Sequence, residues 1–300
     1  MRLCTFNLPG QRAEERRIGV VEGSRVLEVK ERTTMMDFLA LGEKARSPET
    51  VGDGYELERV ILHAPVPRPG KIVAAIVNTQ GMLGGNDVRL DRPRLDMKAP
   101  STVVGSGATI SAPASGIRPE VELAAVVGRR LSKVSPQEAE GGLLGYTVLN
   151  DVTAPKDSKD DAYEAYRRNR ETGEIRKTTL RGPLFRSKNH DAFCPMGPWL
   201  VMADEIGNGK GLMMTTEFDG LLVQKGSTAE YIFSAQQIAS YVSGFLTLEP
   251  GDVISCGSIG WTPEVLRGLD PTELVLPLQS GILEVEIEGI GRLSNPVVPE

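Results

Sequence analysis

Three carboxylates are the residues best placed to do chemistry. Glu120 and Glu122 lie two apart in Arg118-Pro-Glu120-Val-Glu122-Leu-Ala-Ala-Val-Val-Gly128, a segment whose β-branched, apolar content reads as a strand. Residues two apart in a strand share a face, so both glutamates point the same way. Their face continues as Ala124 and Val126, and the opposite face is Val121, Leu123, Ala125 and Val127. A strand apolar on both faces is covered on both sides, and carboxylates at its mouth need a partner, because an unpaired buried charge is costly. Asp151 ends a second strand-like run, Gly145-Tyr-Thr-Val-Leu-Asn-Asp151. No nearby Lys or Arg is expected to pair with all three acids. That points to a divalent cation with oxygen ligands, magnesium or a relative such as manganese or calcium. Ordinary salt bridges remain the alternative that spacing alone leaves open.

The chain supplies its own control. Glu284, Glu286 and Glu288 also alternate, in Leu283-Glu-Val-Glu-Ile-Glu288, but there the charged face stays charged and the other stays apolar. That is a half-buried strand with a solvated side.

The elements around these acids follow from the rest of the chain. Its 300 residues allow one large or two modest domains. An apolar fraction of 40% and a charged fraction of 25% are those of an ordinary soluble globular protein. A formal charge of −6 argues against nucleic acid or an anionic membrane as partner. No segment is apolar for long enough to span a bilayer, and Met1 to Asn7 show no signal pattern. The cysteines Cys4, Cys194 and Cys256 form no CxxC pair, so reduced, inert thiols and a cytoplasmic location are expected. With only His63 and His190, a histidine-rich zinc site is excluded.

Residues 1–68 read as a small α/β domain. A hairpin is expected around Glu22-Gly23-Ser24, and a short helix from Met35 capped by Thr34. A Pro/Gly break at Pro65 to Gly70 opens a second domain, 69–300. Lys71 to Val77 reads as a buried strand, and the Gly-rich, charged stretch from Asn78 to Asp96 gives no clear element. Lys156 to Arg181 carries dense charge of both signs. It is expected to be a solvated surface or a lid beside the site, with Ala162 to Asn169 helical. Ser234 caps a helix with apolar positions Ile238, Tyr241, Val242, Phe245 and Leu246. Strands dominate the remainder, so the fold class is α+β.

Several segments together resemble the fumarylacetoacetate hydrolase family. They are Glu120-Val-Glu122-Leu-Ala-Ala-Val-Val-Gly, Gly145-Tyr-Thr-Val-Leu-Asn-Asp151, Lys188-x-x-Asp191-x-Phe-Cys-Pro-Met-Gly-Pro-Trp, Ile232-Phe-Ser, Leu248-Glu-Pro-Gly-Asp-Val-Ile254 and Val285-Glu-Ile-Glu-Gly-Ile-Gly-x-Leu-x-Asn-Pro-Val297. The resemblance covers roughly 70–298 and implies a mixed β-sheet roll, usually in a homodimer. It implies one Mg2+ or Mn2+ on Glu120, Glu122 and Asp151, and a small 2-oxo or 1,3-dioxo carboxylic acid as substrate. Lys188 falls on the family's active-site lysine, where an ammonium stabilises a developing enolate. Ser258, in Cys256-Gly-Ser-Ile259, keeps a hydroxyl for the substrate carboxylate, and Lys98 joins it as a candidate substrate-binding residue.

One departure bears on the reaction. Where the family pattern carries a histidine after its first catalytic-domain strand, this chain has Met82, and a thioether cannot activate water. His190 is the substitute base: if residues 188–190 are extended, its side chain shares a face with Lys188. Asp87, Asp91 or Asp96 would otherwise have to close over the site. C–C hydrolysis is the reaction class the family implies. Keto–enol tautomerisation and decarboxylation compete with it because neither needs an activated water, and a non-catalytic binding protein is the reading from another class. Weak hydrolysis with retained enolate chemistry is the expectation.

Overall fold

The computed structural model describes residues 1–31, 33–83, 88–268 and 274–300. Strand Val121–Val127 is buried at every position, and its two faces feed two different cores. Val121, Leu123, Ala125 and Val127 pack in one cluster with helix Ala235–Ser243, through Ala235, Ile238, Ala239 and Val242. Ala124 and Val126 pack in another with Leu3, Ile18, Phe38, Leu149 and Leu200. Full burial of each large aliphatic side chain contributes about 1.5–3 kcal/mol. This strand is therefore fixed from both sides, and so are the acids at its start.

Among the described residues the main sheet has twelve strands. Its path runs Thr50–Glu56, Arg25–Val29, Arg17–Glu22, Arg2–Asn7, Cys194–Met202, Leu143–Asn150, Val121–Val127, Val253–Ser258, Ile72–Ile76 and Arg94–Lys98. Ile61–His63 pairs beside Arg2–Asn7, and Val103–Val104 beside Cys194–Met202. The pairing is mixed: Val253–Ser258 runs parallel to Ile72–Ile76 and antiparallel to Val121–Val127. The N-terminal strands thus join the same sheet that carries the acids. The expected hairpin at 17–29 and the Thr34-capped helix Met35–Leu39 are both present.

A second sheet of five strands packs Leu283, Val285 and Ile287 inward and leaves Glu284 and Glu286 outward, both held by Arg292. The helix expected at 162–169 is instead a strand. Tyr163–Arg168 pairs with Ile175–Leu180 in an exposed hairpin. Its turn is closed by Asn169, whose Oδ1 accepts from the Glu171 and Thr172 amides, and by Gly173 at φ +73°. Tyr, Ile and paired Thr residues favour strands, and here they outweigh the alternating charge. Helix Ala235–Ser243 ends at Gly244, so Phe245 lies beyond it and is exposed.

Candidate active site

The acids come together as their strands predict. Backbone pairing sets Val121 opposite Asn150, and the Asp151 amide donates to the Glu120 carbonyl at 2.8 Å. On the other side Glu122 faces Ser258 across a register shift in Val253–Ser258. The shift leaves Gly257 at φ +91°, and an added Cβ there would lie 2.8 Å from the Ala75 carbonyl oxygen, so glycine is required at this bulge. The bulge aims the Gly257 amide at Glu122 Oε2, 3.0 Å away, beside the Ser255 hydroxyl at 2.5 Å. Glu120, Glu122 and Asp151 are all buried, and each offers an oxygen within 4.8 Å of the others'.

Three cations, Arg118, Lys98 and Lys188, pair with Glu120 and Asp151, and none of them bonds Glu122. Arg118 grips Glu120 Oε1 through Nε at 2.9 Å and Nη2 at 2.6 Å, with its guanidinium 4.9 Å above the Trp261 ring. Lys188 Nζ spans Glu120 Oε2 at 2.7 Å and Asp151 Oδ2 at 2.6 Å. Lys98 Nζ reaches Asp151 Oδ1 at 2.7 Å. Lys98 and Lys188 lie 53 and 37 positions from Asp151 in sequence, so only the topology brings them in. Glu122 bonds only neutral donors, Ser255 and Gly257.

Electrostatics follows that asymmetry. Burial, and then the charge of Asp151, push the Glu122 carboxyl up to about 8. Burial also works against the Asp151 carboxylate, but Lys188 and Lys98 outweigh it and hold its pKa below the ordinary value. Burial disfavours the Lys188 ammonium too, yet Asp151, Glu120 and Glu122 keep its pKa above the ordinary lysine value. Its ammonium bridges Glu120 and Asp151.

Two candidate substrate ligands are engaged by partners within the fold. Lys98 is 1% exposed and donates to Asp151 Oδ1, to the Val152 carbonyl at 3.2 Å and to the Lys188 carbonyl at 2.5 Å. An ammonium has three N–H donors, and all three are committed to Asp151 and two backbone carbonyls. Ser258 donates to the Val121 carbonyl at 3.1 Å and accepts from Gln224 at 3.0 Å, so its hydroxyl joins two sheets.

The extended geometry assumed for 188–190 is also absent. Lys188 ends the short helix Phe185–Lys188, and His190 lies in the turn beyond it. The His190 imidazole meets the buried Asp157 carboxylate at 2.6 Å and rests on Phe193, with ring centroids 4.7 Å apart. His63 is bonded to Asn7 at 3.0 Å. Met82 packs against the cluster containing Trp261 and Phe193. Asp87 lies outside the described residues, and Asp91 is exposed and paired with Arg92.

Arg118 and Asp157 were not singled out from sequence. A signal for Arg118 existed, since it precedes Glu120 by two and so shares its strand face. Asp157 had none, being one acid in a charge-dense run. The three cysteines are buried, and burial pushes Cys4 and Cys194 up to about 12, as expected of inert thiols.

The sheet-dominated α+β fold thus carries a buried acid triad that could hold a metal ion, with Lys188 bridging two of its members. The fumarylacetoacetate (FAA) hydrolase C-terminal family model matches residues 72–298, and the chain belongs to that family. It is 31% identical over 268 residues to the oxaloacetate tautomerase YisK of Bacillus subtilis, covering 86% of this chain and 80% of that one. It is 32% identical over 237 residues to a 2,4-didehydro-3-deoxy-L-rhamnonate hydrolase of Sphingomonas, covering 78% and 75%. The fumarylacetoacetate hydrolase of Exiguobacterium antarcticum superposes with a TM-score of 0.77 at 26% identity over the whole of both chains.

Proposed function

We propose that this protein is a divalent-cation-dependent enzyme that interconverts keto and enol forms of a small 2-oxo dicarboxylic acid of the oxaloacetate type. The observation that carries this reading is the arrangement around Lys188: a buried ammonium kept cationic by Glu120 and Asp151 beside an all-oxygen donor set. The donors fit a hard cation such as Mg2+ or Mn2+. Glu120, Glu122 and Asp151 would hold it, and when bound it would polarise a 2-oxo-carboxylate chelated to it.

The chain's own residues do the rest. Lys188 presents positive charge where the ketone oxygen gains negative charge, and donates the hydrogen bond that stabilises it. Lys98 and Arg118 fix the far oxygens of Asp151 and Glu120, so the acids need not reorganise. The charge count favours a dianion. With Glu122 ionised against the cation, Glu120, Glu122 and Asp151 balance Arg118, Lys98 and Lys188, so a divalent cation would leave two positive charges for the substrate to neutralise. Keto–enol exchange moves one proton between carbon and oxygen and consumes no water, so it does not need the water-activating histidine that Met82 replaces; the carbon proton would pass to a base, for which His190 held by Asp157 is the candidate. The tautomerase relative supports this choice among the family's reactions.

One observation favours hydrolysis as a second reading: the buried Asp157 behind His190 would orient an imidazole as base. The deciding experiment follows oxaloacetate and an acylpyruvate by proton NMR in deuterated buffer with Mg2+. Enzyme-dependent deuterium entry next to the ketone should outpace any C–C cleavage. Rapid acylpyruvate cleavage without faster exchange overturns the proposal, and its loss in His190→Ala would identify the base of the hydrolysis reading.

A further inference from the structure

We propose that Trp261 is a specificity-determining residue whose indole N–H donates to the distal carboxylate of a dianionic substrate. The inference rests on the substrate class proposed above and names the residue that reads its second carboxylate.

A buried tryptophan N–H usually finds a hydrogen-bond partner, because an orphaned donor in the interior is costly. Trp199 obeys that rule and donates to the Ile290 carbonyl at 2.6 Å. Trp261 does not. It is 8% exposed, and its Nε1 is buried with no acceptor among the described residues. A loose backbone is not the reason. Trp261 forms a β-bridge with Gln224, and the next amide, that of Thr262, donates to the Val223 carbonyl at 2.9 Å. Three residues earlier the same segment passes through Ser258, which pairs with Glu122. The orphaned donor is therefore carried on a fixed extension of the strand beside the acids.

Its surroundings specify the acceptor. The Arg118 guanidinium lies 4.9 Å above the ring centre while it grips Glu120 Oε1. Trp261 thus sits one guanidinium layer out from the acids, a position for the far end of a substrate whose reacting end faces Lys188. The guanidinium and the N–H edge of the ring both present positive potential, which favours an anionic acceptor over a neutral one. Met82, Val265 and Leu266, all partly buried, pack against the cluster that contains Trp261. In such apolar surroundings a charge-assisted hydrogen bond is strong. A second carboxylate meets these demands, whereas a methyl group in its place leaves the donor orphaned.

L-malate and L-lactate share a 2-hydroxy-carboxylate end, and only malate carries a second carboxylate. Isothermal titration calorimetry of both ligands in Mg2+ buffer reads that group without turnover. Trp261→Phe keeps a ring under Arg118 and removes the N–H. Wild type should bind malate about tenfold more tightly than lactate, and Trp261→Phe should lose about that factor for malate while lactate changes by less than about twofold. A second measurement leaves Trp261 intact. The chain has two tryptophans, so in Trp199→Phe the emission is that of Trp261 alone; malate should shift it and lactate should not. An unchanged preference for malate in Trp261→Phe overturns the inference while leaving the dicarboxylate class standing, as does Trp261 emission indifferent to bound malate. Wild type that binds malate no more tightly than lactate overturns both.

Discussion

Replacing Lys98 with methionine separates its two candidate roles. The ammonium is 1% exposed and its three donors go to Asp151 Oδ1, the Val152 carbonyl and the Lys188 carbonyl. Methionine matches its length but donates nothing. Removing one partner of a buried ion pair costs about 3–5 kcal/mol when the other charge is left unpaired, and this is an upper bound here because Lys188 still holds Asp151 Oδ2. With an unfolding entropy of about 2.1 cal/mol/K per residue over the chain, this corresponds to a Tm loss of about 5–8 °C.

The assay is thermal unfolding by circular dichroism, with urea unfolding as a check on the free energy. Lys30→Met is the control. Its ammonium pairs with Glu49 on the surface, both side chains being more than half exposed, so its Tm should match wild type. If Lys98 instead held substrate, Lys98→Met would raise KM at unchanged Tm. A variant within about 1 kcal/mol of wild type would refute the clasp and the reasoning from saturated donors.

Two other outcomes follow from titratable groups away from the acids. Burial, and then Arg16, depress His63 to about 4 against an ordinary 6.5. The unfolded chain therefore takes up the proton first as pH falls, and this contribution is complete above pH 6.5 and lost between 6.5 and 4. The urea midpoint should decline over that window, with a shallower slope in His63→Gln; identical slopes would refute it. For the cysteines, an aromatic disulfide reagent should label none of Cys4, Cys194 and Cys256 in the native state and all three after unfolding. Fast native labelling of even one would contradict their burial.

How far the sequence led depends on how locally each feature is encoded. The strand carrying Glu120 and Glu122 was legible because its period-two pattern and its burial on both faces are written in consecutive residues. Glu284 and Glu286 were readable as a solvated face for the same reason. The turn chemistry of Asn169 and Gly173 was also present, but the mixed charges of 162–169 suggested a helix, and strand propensity on an exposed hairpin won. The geometry of 188–190 could not be had from spacing. A one-turn helix ends at Lys188 while Arg186 is drawn to Asp161 and Asp157, a pairing set 25 to 29 positions away in sequence. Ser258 looked available as a ligand only because its partners, Gln224 and the Val121 carbonyl, come from other strands.

Lys98 shows why some site chemistry cannot be separated from the fold. It ends the edge strand Arg94–Lys98, four steps across the sheet from Leu143–Asn150, the strand that leads into Asp151. At about 4.8 Å per strand, a flat sheet would separate them by about 19 Å, farther than a lysine side chain reaches. Its ammonium nevertheless lies 2.7 Å from Asp151, and the next residue's amide donates to Asn189 Oδ1 at 2.6 Å. The sheet must therefore curl until its edge returns to the Asp151 loop, and Lys98 is one of the contacts that close the roll. The same bond that closes it ties down one oxygen of Asp151. Closure of the roll and preparation of the acid centre thus share one contact, Lys98 to Asp151. A residue doing both tasks carries no local signature, because its partners exist only once the sheet has curled.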